Sequence, residues 1–183
     1  MKKIYKVIIV VFTLGLIVGC GNMMNTPTKK VEQFLSKYQT MDKSVLDQLD
    51  DIMDDAATMT DEQTNDYQEL MKKQYQNLSY KIKDETEDGN NATVEVELEV
   101  YDYGKAISES EQYLVTNRNE FLDESLGDIV DTEKFLDYKI EQMNNVKDKI
   151  KYTITFNLTK EDDKWQLNDL SNIDIQKLHG LYY

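Results

Sequence analysis

Downstream of Thr26 the apolar residues first recur every three or four positions and later every second position. Thr26 can cap a helix whose first residue is Pro27, where a missing N–H costs nothing. Val31, Phe34, Leu35 and Tyr38 then mark one face of a helix ending near Thr40. The stretch "DKSVLDQLDDIMDDA" predicts a second helix, with Val45, Leu46, Leu49, Ile52 and Met53 on its apolar side. Thr60 and Gln63 have capping-box spacing and open a third helix striped by Tyr67, Leu70, Met71, Tyr75 and Leu78. The period then falls to two. Leu78, Tyr80 and Ile82 alternate with polar neighbours, and Val94, Val96, Leu98 and Val100 alternate with Glu95, Glu97 and Glu99. "DETEDGNN" lies between these strands, and Asp88–Gly89 marks the turn.

A helical interruption follows from Gly104 to Lys149. Ser108 and Glu111 suggest a cap, with Tyr113, Leu114, Phe121 and Leu122 beyond it. Asp131 or Thr132 opens a further helix carrying Phe135, Leu136, Lys139, Ile140 and Met143 on one side. Tyr152, Ile154, Phe156 and Leu158 then alternate again, answered by Trp165 and Leu167 across an Asp162–Asp163 turn. The tail "IDIQKLHGLYY" is expected to be short and to pack on a sheet edge. Three helices, a hairpin, a helical insert and a second hairpin predict an α+β domain. Its N-terminal helices cover the dry face of a curved antiparallel sheet.

The N-terminal stretch reads differently. Lys2, Lys3 and Lys6 precede an apolar run from Val7 to Gly19. That run falls short of the roughly 20 residues a spanning helix needs. A basic start, a short apolar run and small residues before a break describe a secretory signal peptide. Ile17, Val18, Gly19 and Cys20 resemble the bacterial lipobox, which implies cleavage before Cys20 and a diacylglyceryl group on its thiol. The expected organisation is a signal peptide at 1–19, a lipid-anchored spacer at 20–27 and one extracytoplasmic domain at 28–183. Cys20 is the only cysteine, so no disulfide is expected.

Charge narrows the partners. Without residues 1–19 the chain keeps 18 basic and 35 acidic residues. Such a surface repels nucleic acid and anionic headgroups. It gathers cations loosely and keeps the protein soluble. The order of elements, closing on "YTITFNLTKEDDKWQLNDL", resembles the nuclear transport factor 2-like superfamily, a cystatin-like cone. With "KLHGLYY" at the end, it is also similar to small Gram-positive lipoproteins of unknown function. The resemblance spans most of residues 28–183 and implies a cone-like sheet. The insert at 104–149 departs from the plain cone.

Four features could carry chemistry. Asp84, Asp88, Gly89 and Glu95 fall at calcium-loop positions, but Thr86 stands where Asp or Asn belongs and the flanks have strand period, so a hairpin is expected instead. Asp47, Asp50, Asp51, Asp54 and Asp55 share one helix face, which reads as a solvated acidic surface rather than a cation or basic-partner site. His179, the only histidine, would have to serve any Ser–His–Asp triad. Tyr38, Tyr67 and Tyr75 lie on inner helix faces, where they pack or line a pocket. No G-x-S-x-G, H-E-x-x-H or phosphate-cradling loop occurs. The expected role is therefore non-enzymatic: a lipoprotein on the outer face of the membrane that binds a small molecule or an envelope protein, or serves as an accessory to a membrane complex. No metal or other cofactor is expected. The alternatives are an enzyme with an Asp/Tyr pocket and a structural or adhesive surface protein.

Overall fold

The computed structural model describes residues 25–54, 59–123, 125, 127 and 129–183. Helix α1 (Pro27–Gln39) opens with the Thr26 hydroxyl accepting from the Lys29 N–H, and Pro27 occupies its first turn. Helix α2 (Lys43–Asp54) follows after a short turn, and Val45 and Leu49 anchor it to the core. Helix α3 (Asp61–Gln76) has the full capping box. The Thr60 side chain accepts from the Gln63 N–H, and the Gln63 side chain accepts from the Thr60 N–H.

Strands β1 (Ser79–Asp88) and β2 (Asn91–Tyr101) form the first hairpin. "DETED" belongs to β1, so the connection shrinks to Gly89–Asn90, with Gly89 at φ 62°. The residues expected to form a loop are strand because they pair residue by residue with β2, including Asp84 with Glu95 and Asp88 with Asn91. Strands β5 and β6 (Lys149–Glu161 and Lys164–Leu167) form the other hairpin, and both turn residues, Asp162 and Asp163, have positive φ. That is the sense of a type I′ turn, which matches the twist of paired strands. The main sheet runs β1-β2-β5-β6, all antiparallel. Its dry face carries Val94, Val96, Leu98, Ile154, Phe156 and Leu158, all buried under α1 and α3. Each such side chain contributes roughly 1.5–3 kcal/mol relative to exposure.

The insert begins earlier than the cap motif suggests. Helix α4 (Tyr103–Thr116) starts directly after β2, where the Asp102 carboxylate accepts from the Lys105 N–H; Ser108 lies inside the helix. Asp102 wins because the strand must end there and Tyr103 is fully buried. A 3-10 turn at Arg118–Phe121 and the two-residue strands β3 (Leu122–Asp123) and β4 (Ile129–Val130) lead to helix α5 (Thr132–Asn145), capped by Asp131. Leu70, Tyr103, Ala106, Ile140 and Met143 form a second, smaller core that seats this insert against α3.

The tail does not pack on a sheet edge. It forms helix α6 (Asn172–His179), which packs against α3 and the two central strands β2 and β5. Ser171 caps its start by accepting from the Asp174 N–H, and Gly180 ends it at φ 71°. Buried Leu178 supplies the apolar contact that an edge strand would have left in water. The described residues thus form an α+β domain: six α-helices around a four-stranded antiparallel sheet.

Candidate functional site

The space between α1, α3 and the sheet is filled. Val31, Leu35, Met71, Tyr75, Val96 and Phe156 are all buried there, and Trp165 is buried at the β6 end. The opening lies beside it. From Phe156 a row of edge-to-face rings runs outward through Phe34 and Tyr38 to Tyr75 and His179, with centroids 5.9, 5.2, 5.1 and 5.5 Å apart. The row ends in a cleft of about 590 Å³ between α1, α2, α3, the β6–α6 connection and α6. Its walls are Phe34, Tyr38, Val45, Leu49, Tyr75, Leu167, Leu170 and Ile175, with Gln48, Asn168, Asp169 and His179 as the polar groups. This is an apolar concavity with few polar groups, the usual make-up of a small-molecule site.

One polar pair sits at its base. The Tyr75 hydroxyl and His179 Nδ1 are 2.9 Å apart. Burial pushes the His179 ring down to about 4, so it is neutral at pH 7. Burial likewise pushes the Tyr75 phenol far up, helped by the neighbouring Tyr38 and Tyr67. His179 is held from behind by Gln74, fully buried on α3. The Gln74 amide donates to the Tyr101 and His179 carbonyls at 3.0 and 2.9 Å and accepts from the Tyr101 N–H at 2.8 Å.

Two further hollows involve the insert. One, about 560 Å³ between α3 and α5, is ringed by Glu62, Asp66, Glu69, Glu133, Asp137 and Glu141, with Lys73 the basic group among its lining residues. The other, about 580 Å³ between α4 and α5, includes Lys105, Glu109, Tyr113 and Tyr138. Among the described residues no three His, Cys, Asp or Glu side chains converge as a metal site. No described residue of the insert lines the aromatic cleft.

The sequence candidates fall in different places. Cys20 and Asp55 lie outside the described residues, as do the side chains of Asp50, Asp51 and Asp54. Asp47 is exposed and pairs with Lys43 at 2.6 Å. Asp84, Asp88, Gly89 and Glu95 lie in the β1–β2 hairpin without flanking helices, which removes the calcium-loop geometry. Tyr38 and Tyr75 reach the cleft, whereas Tyr67 bridges the two cores. His179, considered only as a triad member, is the polar centre of the cleft and meets a tyrosine rather than a serine. Gln48, Asn168 and Leu170 carried no sequence signal: Gln48 is a polar residue on α2, and Asn168 and Leu170 lie in a connection, where there is no period to read.

No protein-family model, curated protein or solved structure matches the chain.

Proposed function

We propose that this protein is a membrane-anchored surface lipoprotein, held by lipid at Cys20, whose cone-like domain binds a small apolar molecule without transforming it. The observation that carries the binding half is the cleft of about 590 Å³, walled mostly by apolar and aromatic side chains, with the Tyr75–His179 pair and a few other polar groups. The same pair argues against acid–base chemistry. A ring held near 4 is a weak base at pH 7, and a phenol pushed far up gives little phenolate. The anchoring half rests on the lipobox-like "IVGC" and a short tether. Five residue steps separate Cys20 from Asn25, at most about 18 Å of extended chain. Asn25 is tied to the β5–β6 hairpin through Asp163 and Trp165, at 2.7 and 3.3 Å. A lipid at Cys20 therefore keeps this hairpin, and the cleft that starts at Leu167, close to the bilayer.

The test is photolabelling of the full chain in its membrane with benzophenone. Labels should concentrate on peptides holding Phe34, Leu170 and Ile175 and fall at least fivefold in Ile175→Glu, a change at a 40% exposed position. Labelling spread evenly over the surface, or unchanged in that variant, would remove the cleft as the site. For the anchor, Cys20→Ala should leave an unprocessed precursor without radiolabelled fatty acid. Normal processing and labelling of that variant would sink the lipoprotein reading.

A further inference from the structure

Resting on the reading of this cleft as a ligand site, we propose that the Nε2–H of His179 is its recognition group. The ligand is then a largely apolar, non-anionic molecule whose carbonyl or ether oxygen accepts from that N–H.

The argument starts at Tyr75. Tyr75 is 2% exposed, and among the described residues its hydroxyl has one hydrogen-bond partner, His179 Nδ1. If Nδ1–H were the donor, the phenol proton would be buried without an acceptor, which is costly. The Tyr75 O–H therefore donates to Nδ1. A neutral imidazole has one N–H, so its proton sits on Nε2. Among the described residues Nε2 has no protein partner, yet no fully buried side-chain nitrogen or oxygen there lacks one. Nε2 is thus reached from outside the protein, and His179 lines the cleft. The site presents a fixed donor beside aromatic rings, with Gln48, Asn168 and Asp169 as its other polar groups.

The surroundings set the ligand's charge. His179 ends α6, where the helix dipole disfavours an anion. Asp169 lines the same cleft, and the chain is strongly acidic. A carboxylate or phosphate is repelled, and Nε2–H, which can only donate, meets an acceptor oxygen rather than a cationic N–H. A neutral acceptor oxygen on an apolar body remains.

The experiment is NMR on the isotope-labelled full chain in lipid nanodiscs, with acetophenone and ethylbenzene as probes at free concentrations set by dialysis. These differ mainly in the carbonyl oxygen. His179 is the only histidine, so its ring signals are unambiguous. The ring should be the Nε2–H tautomer in the free protein. Acetophenone should move the Nε2–H proton downfield; ethylbenzene should move the Ile175 and Leu170 methyls but not that proton. His179→Asn, which can keep the Tyr75 contact but not the outer N–H, should weaken acetophenone about three- to tenfold and leave ethylbenzene unchanged. His179→Gln, which restores an N–H near the Nε2 position, should recover most of the loss. An Nδ1–H tautomer overturns the proposal, as does methyl shifting by both probes with a still Nε2–H. Those results leave the cleft as a binding site. Silence of the methyls toward both probes overturns the cleft reading and the proposal together.

Discussion

At the scale of single residues, two positions control more than their size suggests. His179 is neutral in the folded protein down to about pH 4, against an ordinary value of 6.5. Above pH 6.5 the ring is neutral folded and unfolded, so it adds no pH dependence. Between 6.5 and about 4 only the unfolded chain takes the proton, so stability falls as pH falls; below about 4 the loss is complete. The loss is about 3 kcal/mol at most, because the ring is only partly enclosed. Urea midpoints at pH 7.5 and pH 4.5 should drop further in the native chain than in His179→Gln, and equal drops would contradict the neutral buried ring. Gly180 is the second position. A Cβ there would strike the Gln74 amide and the Tyr101 carbonyl, and the backbone sits at φ 71°. Gly180→Ala should cost about 3 kcal/mol and lower Tm by about 10 °C, read by calorimetry.

At the scale of elements, the helix starts do more than stop fraying. In α3 the capping box satisfies N–H groups that the first turn leaves without intrahelical partners. Thr60→Ala should cost about 1 kcal/mol in chemical denaturation. Gln63→Ala should cost more. Its side chain also donates to the Glu133 carbonyl and to the Asp137 carboxylate at 3.0 and 2.6 Å, joining α3 to α5. Equal costs would mean that the junction adds nothing. The sheet's wet face is held differently. Glu97 lies between Lys83 and Lys151, at 3.4 and 3.3 Å, and hydrogen bonds from Lys151 and then Lys83 hold its carboxyl below the ordinary range. These pairs are exposed, so they add little stability and serve mainly to pair charges across strands.

At the scale of the whole molecule, the domain has one large core and one small one. The large core joins α1, α2, α3 and α6 to the sheet; the small one holds the α4–α5 insert against α3. Fewer buried side chains hold the insert than hold β2 to β5, so its local opening free energy is lower. Hydrogen exchange should release the amides of α4 and α5 at least about 2 kcal/mol below those of Val96 and Ile154. Exchange of both regions in one global opening would show that the two cores unfold together. The described insert residues do not line the aromatic cleft, but the first turn of α4 reaches its edge: the Gly104 N–H donates to the Gly180 carbonyl, next to His179, at 2.7 Å.

Sequence alone determined the elements whose signal is local. The Thr26–Pro27 start, the Thr60–Gln63 box, the Val94–Val100 alternation and the Asp162–Asp163 turn each depend on residues within a few positions of one another. Period and capping chemistry act at that range, so they can be read before the chain folds. Local signals misled where tertiary contacts outweighed them. Ser108 looked like a cap, but burial of Tyr103 moved the helix start to Asp102. The tail looked like an edge, but Leu178 and the Gln74 hydrogen bonds drew it into a helix over β2 and β5. The cleft was decided only by tertiary structure. Tyr75 and His179 stand 104 positions apart, and only the docking of α6 on α3 brings them within a hydrogen bond. No pattern along the chain records such a pair, because the energy that selects it comes from packing between elements rather than within them.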